Sequence, residues 1–169
     1  KLKIENFDTE VLREYDIRGI VGVNINQNTA YTIGRTFGYT VINRLQSNII
    51  ATGYDGRLTS PDLHQALCEG LKDAGAKVIN IGMGPTPMTY FAHYHLEADA
   101  VIMVTGSHNP SEYNGFKMVL AKHSFYAEDI QSLQKLIDQN NLKLIEGEII
   151  NQDIKKDYTE RLLQNINLN

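Results

Sequence analysis

From Thr29 to Gly106, helix-patterned stretches alternate with short apolar runs, and this alternation narrows the possible folds more than any other feature. TAYTIGRTFGYTVINRL, from Thr29 to Leu45, sets Ile33, Phe37, Val41 and Leu45 four residues apart along one face of an amphipathic helix. Gly34 and Gly38 lie one place further on, where they would let a neighbouring element come close. NIIATGYD predicts a buried strand over Ile49–Gly53. In SPDLHQALCEGLKDAG, Ser60 is the expected N-cap, Pro61 the first helical residue and Gly75 the stop. AKVINIG predicts a second strand. Pro85 and Pro87 break the chain before a helix over Met88–Leu96, and ADAVIMVTG predicts a third strand. Strands joined through helices cross over and pair in parallel, with helices covering both sheet faces, so the fold class is α/β.

NGFKMVL follows the third strand closely enough to pair with it antiparallel, which makes the sheet mixed. A helix over Ala127–Asp138 comes next. LKLIEGEIINQD then predicts a short edge strand before a final helix in DIKKDYTERLLQNI. Tyr158, Leu162 and Leu163 give that helix a narrow apolar stripe in polar surroundings, as in an element awaiting a partner.

With 42% hydrophobic and 21% charged residues, the 169-residue chain has the composition of a soluble domain with a substantial core. Sixteen Lys and Arg against 20 Asp and Glu leave a net charge of −4, so no global field gathers nucleic acid or an anionic membrane. A bound anion must be held by local groups. No apolar run reaches the roughly 20 residues of a membrane helix, and KLKIENFDTE lacks the apolar core of a signal peptide. Cys68 is the single cysteine, which excludes an internal disulfide; its setting in HQALCEGL predicts a small apolar residue on a buried helix face. A cytoplasmic location is the expectation. A chain that begins with Lys is also expected to be a piece of a longer protein.

VIMVTGSHNPSEYNGFKM concentrates the chemistry. Ligands of open α/β sheets gather beyond the carboxyl ends of strands, and Ser107 stands at such an end, with Gly106 permitting a sharp turn and Pro110 stiffening the exit. Ser, Asn, Gly and Pro are also the common turn residues, so spacing alone leaves a turn and a presented nucleophile both open. The Gly-x-Ser-x-Gly elbow of hydrolases is missing, and His108 is too close in sequence to reach back easily to Ser107. An acyl-transfer hydrolase using Ser107 with His93, His95 or His108 therefore has little support. REYDIRGIVG places Tyr15, Asp16 and Arg18 before Gly19, while TGYDGRLTSP places Asp55 and Arg57 in a glycine-punctuated loop beyond another strand. Read alone, either stretch is what a solvated turn or a salt bridge usually contains.

Taken in order, EYDIRG, GYDGR, GLKDAGAKVINIGMGPTPM, TGSHNP and YNGFKM resemble the α-D-phosphohexomutase family, which includes phosphomannomutases and phosphoglucomutases. The resemblance covers most of the chain. It implies a three-layer α/β/α domain around a mixed sheet of about four strands. It also implies that the serine matching Ser107 carries a phosphoryl group, donates it to a hexose phosphate, and recovers the other phosphate from a bound bisphosphate. This is an intramolecular phosphotransfer between C1 and C6. Arg18 and Lys117 match the cations beside that serine, and His108 matches a position of proton transfer or substrate contact. Tyr15 and Asn109 would line the same cleft; Arg57 would either contact phosphate or, paired with Asp55, brace the loops, the role favoured here. Lys117 has a second argument, since strand alternation sets it on the face opposite Phe116 and Met118.

The resemblance further implies Mg²⁺, with the phosphate on Ser107 as one ligand, and an activator of the glucose 1,6-bisphosphate type. Family members have four domains, and the Asp-x-Asp-x-Asp metal loop of the second has no counterpart in this chain. Residues 1–150 are thus expected to be the first, phosphoserine-bearing domain, with 151–169 a helix leading toward the second. Domains II to IV of the same polypeptide would be the partners, and the fragment alone would be inactive. Mannose, glucose and glucosamine phosphates all remain open as substrates. The alternative is a noncatalytic sugar-phosphate-binding module that keeps the loop.

Overall fold

The computed structural model describes residues 1–166. In chain order its elements are β1 (Ile17–Ile20), α1 (Gln27–Leu45), β2 (Ile49–Tyr54), α2 (Ser60–Asp73), β3 (Lys77–Met83), α3 (Thr86–His95) and β4 (Ala100–Val104). There follow β5 (Tyr113–Leu120), β6 (His123–Ser124), α4 (Glu128–Asp138), β7 (Glu148–Asn151) and α5 (Lys155–Gln164). The sheet runs β1-β5-β4-β2-β3-β7, with β6 on β5. Strands β4, β2, β3 and β7 pair in parallel, while β5 is antiparallel to both β4 and β1. This is the mixed, three-layer α/β/α sheet that was expected, but with seven strands rather than about four. Of the others, β7, four residues long, is the short edge strand expected in LKLIEGEIINQD, while β1 and β6, of four and two residues, were not anticipated. Such segments bury too little apolar surface to leave a periodic trace in sequence. In β1 the apolar pattern is further interrupted by Arg18.

Period-two alternation divides the strands between two cores. Ile50, Val78, Ile102, Phe116 and Met118 face Ile33, Phe37 and Val41 of α1 and Leu67 and Leu71 of α2. Their neighbours Ala51, Ile79, Ile81 and Val101 face Met88 and Ala92 of α3, with Ile154. On the first face the two helices touch backbone to backbone. A Cβ on Gly34 would meet the Leu67 carbonyl, and one on Gly70 would meet the Tyr31 carbonyl. The predicted role of Gly34 is thus seen together with its partner. Cys68 is buried in this layer, and burial pushes its thiol up to about 12, leaving it protonated and unreactive at neutral pH.

The helix boundaries moved by small amounts for physical reasons. α2 is preceded by Thr59 as N-cap, not Ser60, and Thr59 makes no side-chain cap bond. The Ser60 hydroxyl is committed elsewhere, to Asp55. α3 begins at Thr86 rather than Met88, because Pro87 is tolerated in a first helical turn. In α5 no residue is buried; Tyr158 packs on Phe91 while Leu162 and Leu163 stay exposed. The end of the expected 151–169 segment, 167–169, lies outside the described residues.

Candidate active site

β4 ends at Val104, and the chain leaves the sheet through Thr105, whose N–H still donates to Gly115 O of β5 at 2.9 Å. Beyond it Ser107 sits exposed in the left-handed region, at φ 50°. That conformation costs a non-glycine residue on the order of 1 kcal/mol, so the surroundings must hold it. They do so from inside the loop and from two flanking segments. Ser107 N donates to Thr105 Oγ1 at 3.0 Å. Asn109 donates both its backbone N, at 3.1 Å, and its Nδ2, at 3.2 Å, to Gly106 O.

The first flanking segment is the loop after β2. Asp55 accepts from Gly106 N at 2.8 Å, from Ser60 Oγ, and from Arg57 N at 3.1 Å. Burial by itself raises the Asp55 carboxyl, but bonds from Ser60, Gly106, Arg57 and Thr105 outweigh it and hold the group below the ordinary aspartate range. Asp55 is ionised at neutral pH. The Arg57 guanidinium donates to four backbone carbonyls of the serine loop: Asn109 and Pro110 at 2.6 Å, and Ser107 and Tyr113 at 3.2 Å. It lies so close over Gly106 that a Cβ there would collide with its Nε and Cζ.

β1 forms the second flank. Arg18, opposite Gly115 in the β1–β5 register, is 6% exposed. Its Nη1 donates to Thr105 O at 2.9 Å. Its Nη2 donates to Asp16 Oδ2 at 2.6 Å and also reaches Ser107 Oγ at 3.4 Å. Ile17 turns into the α1–α2 core, so Arg18 belongs to the opposite sheet face. Lys117 shares that face, between the core residues Phe116 and Met118, and pairs with Met103 across β4–β5. It is half-buried.

An open cleft of about 830 Å³ lies beside the serine, bounded by Asp55, Arg57, Thr59, Ser107, Asn109 and Glu112. That volume is in the range of small-molecule sites. Of the residues singled out from sequence, Ser107, Asn109, Asp55 and Arg57 line it. Arg18 reaches Ser107 Oγ from beneath. His108 is exposed next to the serine. Tyr15 is 71% exposed and stacks on Tyr126, with ring centroids 6.2 Å apart, rather than bordering the cleft. His93 is buried beside Asp99 at the start of β4, and His95 pairs with Asp157 at 3.0 Å. Neither is placed to activate Ser107 as a hydrolase base.

Two contributors gave no usable sequence signal. Thr105 looked like the end of a strand, yet its hydroxyl orients the serine amide. Asn114 falls within the expected strand NGFKMVL, but the pattern does not show that it is fully buried there, its Nδ2 donating to Thr59 Oγ1 at 2.9 Å and Ser60 Oγ at 3.0 Å. It ties the start of α2 to the sheet beneath the serine loop.

An exposed hydroxyl with a buried guanidinium aimed at it, and no imidazole bonded to it, suits the holding of a doubly charged phosphoryl group better than acyl transfer. Residues 9–143 match the family described as phosphoglucomutase/phosphomannomutase, alpha/beta/alpha domain I. A phosphomannomutase/phosphoglucomutase of Pseudomonas aeruginosa is 40% identical over 164 residues, which are 97% of this chain and 35% of the relative. A phosphoglucomutase of Neisseria meningitidis is 36% identical over 165 residues, 96% of this chain and 36% of its own. The crystal structure of a phosphoglucomutase/phosphomannomutase family protein from Burkholderia thailandensis superimposes with a TM-score of 0.85 at 38% identity, covering 95% of this chain and 36% of that one. The chain thus spans about a third of the length of these relatives.

Proposed function

Because this chain belongs to the phosphoglucomutase/phosphomannomutase family through its alpha/beta/alpha domain I, we propose that Ser107 is its phosphoryl carrier in the interconversion of hexose 1-phosphate and 6-phosphate. The observation that carries the proposal is Ser107 itself, held in a left-handed turn beyond β4 with Arg18 Nη2 3.4 Å from its Oγ. In the forward step a substrate hydroxyl oxygen attacks phosphorus, the bond from phosphorus to Ser107 Oγ breaks, and a bisphosphate forms. The hydroxyl proton passes to a base, a role assigned to His108 on its position beside the serine. Return of the other phosphate to Ser107 Oγ completes the isomerisation. Arg18 neutralises charge on the phosphoryl oxygens, and Lys117, on the same sheet face, adds a second cation; charge stabilisation and positioning are what this chemistry requires. Asn109 holds the loop and lines the cleft, while Tyr15 offers an exposed ring for contact with a sugar or a neighbouring domain.

Residues 1–150 are proposed as the phosphoserine domain and 151–169 as the link to a second one. The hexose phosphate, a glucose 1,6-bisphosphate-type activator and Mg²⁺ belong to the same proposal. Among the described residues no three His, Cys, Asp or Glu side chains gather into a metal site. Apart from an oxygen of the serine phosphate, this chain does not fit a Mg²⁺ shell of several oxygens. Incubation of the full-length polypeptide with phosphate-labelled glucose 1,6-bisphosphate is expected to label Ser107, and Ser107→Ala to abolish both label and turnover. Labelling and isomerisation by Ser107→Ala at the wild-type rate would rule the carrier out. The 169-residue chain alone is expected to turn over no measurable hexose phosphate.

A further inference from the structure

We infer that Asp55 is a positioning residue for phosphoryl transfer, setting the conformation of Ser107 through Gly106 and Arg57. This rests on Ser107 being the phosphoryl carrier. Sequence alone suggested a simple Asp55–Arg57 ion pair, but their closest salt-bridge contact, Nε to Oδ2, is a loose 3.5 Å. The tighter bonds go past each other to the serine loop: Asp55 Oδ2 to Gly106 N at 2.8 Å, and Arg57 Nη1 and Nη2 to four carbonyls between Ser107 and Tyr113. The two side chains therefore grip the same short segment together, Asp55 taking the Gly106 amide and Arg57 the carbonyls that follow. Asp55 also receives Arg57 N at 3.1 Å, which orients the residue that does the second half of the gripping. Gly106 is where they converge, since its missing side chain is the space the guanidinium fills.

The grip matters because Ser107 occupies a conformation that a free turn would leave. Arg18 Nη2 is already 3.4 Å from Oγ, so a small drift of the loop takes the hydroxyl out of its reach. Misplacement by about 1 Å costs up to a hundredfold in rate. Only an ionised carboxylate can accept from Gly106 N, Arg57 N and Ser60 Oγ together; a carboxamide has a single acceptor oxygen and must turn its NH₂ toward one of those donors.

Phosphoryl uptake from labelled glucose 1,6-bisphosphate and steady-state turnover, measured on the full-length polypeptide with and without Asp55→Asn, test this inference. Asp55→Asn is expected to slow labelling of Ser107 and to lower kcat by about 10- to 100-fold, with KM for the hexose phosphate within about twofold, as for loss of positioning without loss of substrate contact. Gly106→Ala, which displaces Arg57 from the other side without touching a charge, is expected to show the same split and guards against Asp55→Asn failing to fold. Labelling and kcat of both variants within twofold of wild type would overturn the inference while leaving the carrier in place. An unlabelled Ser107 in the wild type would overturn the carrier and this inference together.

Discussion

Two arginines reach the Ser107 loop from opposite sides, and they are employed differently. Arg18 comes from β1 at the sheet edge; it is buried, spends one nitrogen on a carbonyl, and turns the other toward Asp16 and the serine hydroxyl. Arg57 comes from the loop after β2 and commits both terminal nitrogens to backbone carbonyls of the serine loop. A cation near an anion-binding serine is therefore not by itself a ligand of the anion. What counts is how many of its donors the protein has already used. Arg18 retains one directed at the reacting oxygen, whereas Arg57 builds the loop that presents that oxygen.

Removing the arginine that faces the hydroxyl should give the larger effect. Arg18→Ala is expected to lower kcat by about 10²–10³-fold, the range for loss of one preorganised donor, in a steady-state mutase assay of the full-length polypeptide. A drop no larger than that of an Arg57 substitution would erase the distinction between them. Acid should separate the two sides next. His64 of α2 lies against Tyr54, the residue before Asp55, with ring centroids 4.7 Å apart, and burial pushes its imidazole down to about 4. Its folded value lies below the unfolded one near 6.5, so the protein is most stable above that unfolded value. Stability is lost as pH falls from about 6.5 toward 4, by about 2 kcal/mol at pH 5. Hydrogen exchange at pH 5 should accordingly open the Asp55–Arg57 side before β1, and His64→Phe should flatten the stability slope over that window. Equal opening of both sides would show that they are not independently supported. The smallest effect is expected from Arg57→Lys, about fivefold in kcat: one ammonium keeps the charge but cannot span four carbonyls as a planar fork does. A hundredfold loss with KM for the hexose phosphate raised in step would instead mark Arg57 as a direct phosphate ligand.

The unequal legibility of the two arginines has a physical origin. Arg57 stands in a loop just past a strong apolar strand, so its location follows from local pattern, while its role stayed open between bracing, favoured under the resemblance, and phosphate contact. Arg18 lies on a four-residue edge strand whose length and charge hide it from periodicity. It was singled out through the EYDIRG motif, and only the β1–β5 register places it opposite Gly115 and under Thr105. Lys117 is intermediate: alternation set its face, but the antiparallel β1–β5 pairing was needed to put it on the same side as Arg18. Asn114 and Thr105 were opaque for different reasons: the buried amide acquires its role from Thr59 and Ser60, distant in sequence, and the loop hydroxyl from the left-handed turn at Ser107 two residues on, a conformation that residue pattern does not specify.

The sequence by itself determined the α/β class, the helices on both sheet faces, the close approach at Gly34 and the place of Ser107 beyond a buried strand. Hydrophobic period, proline position and glycine position are local properties, and one stretch of chain suffices to state each. Tertiary structure alone decided the seven-strand order, the carbonyls that consume Arg57, the nitrogen of Arg18 left facing the serine, and the grip of Asp55 on Gly106. These are contacts between residues about 50 to 90 positions apart. Their formation depends on strand register, which sequence pattern biases but which only the assembled sheet resolves.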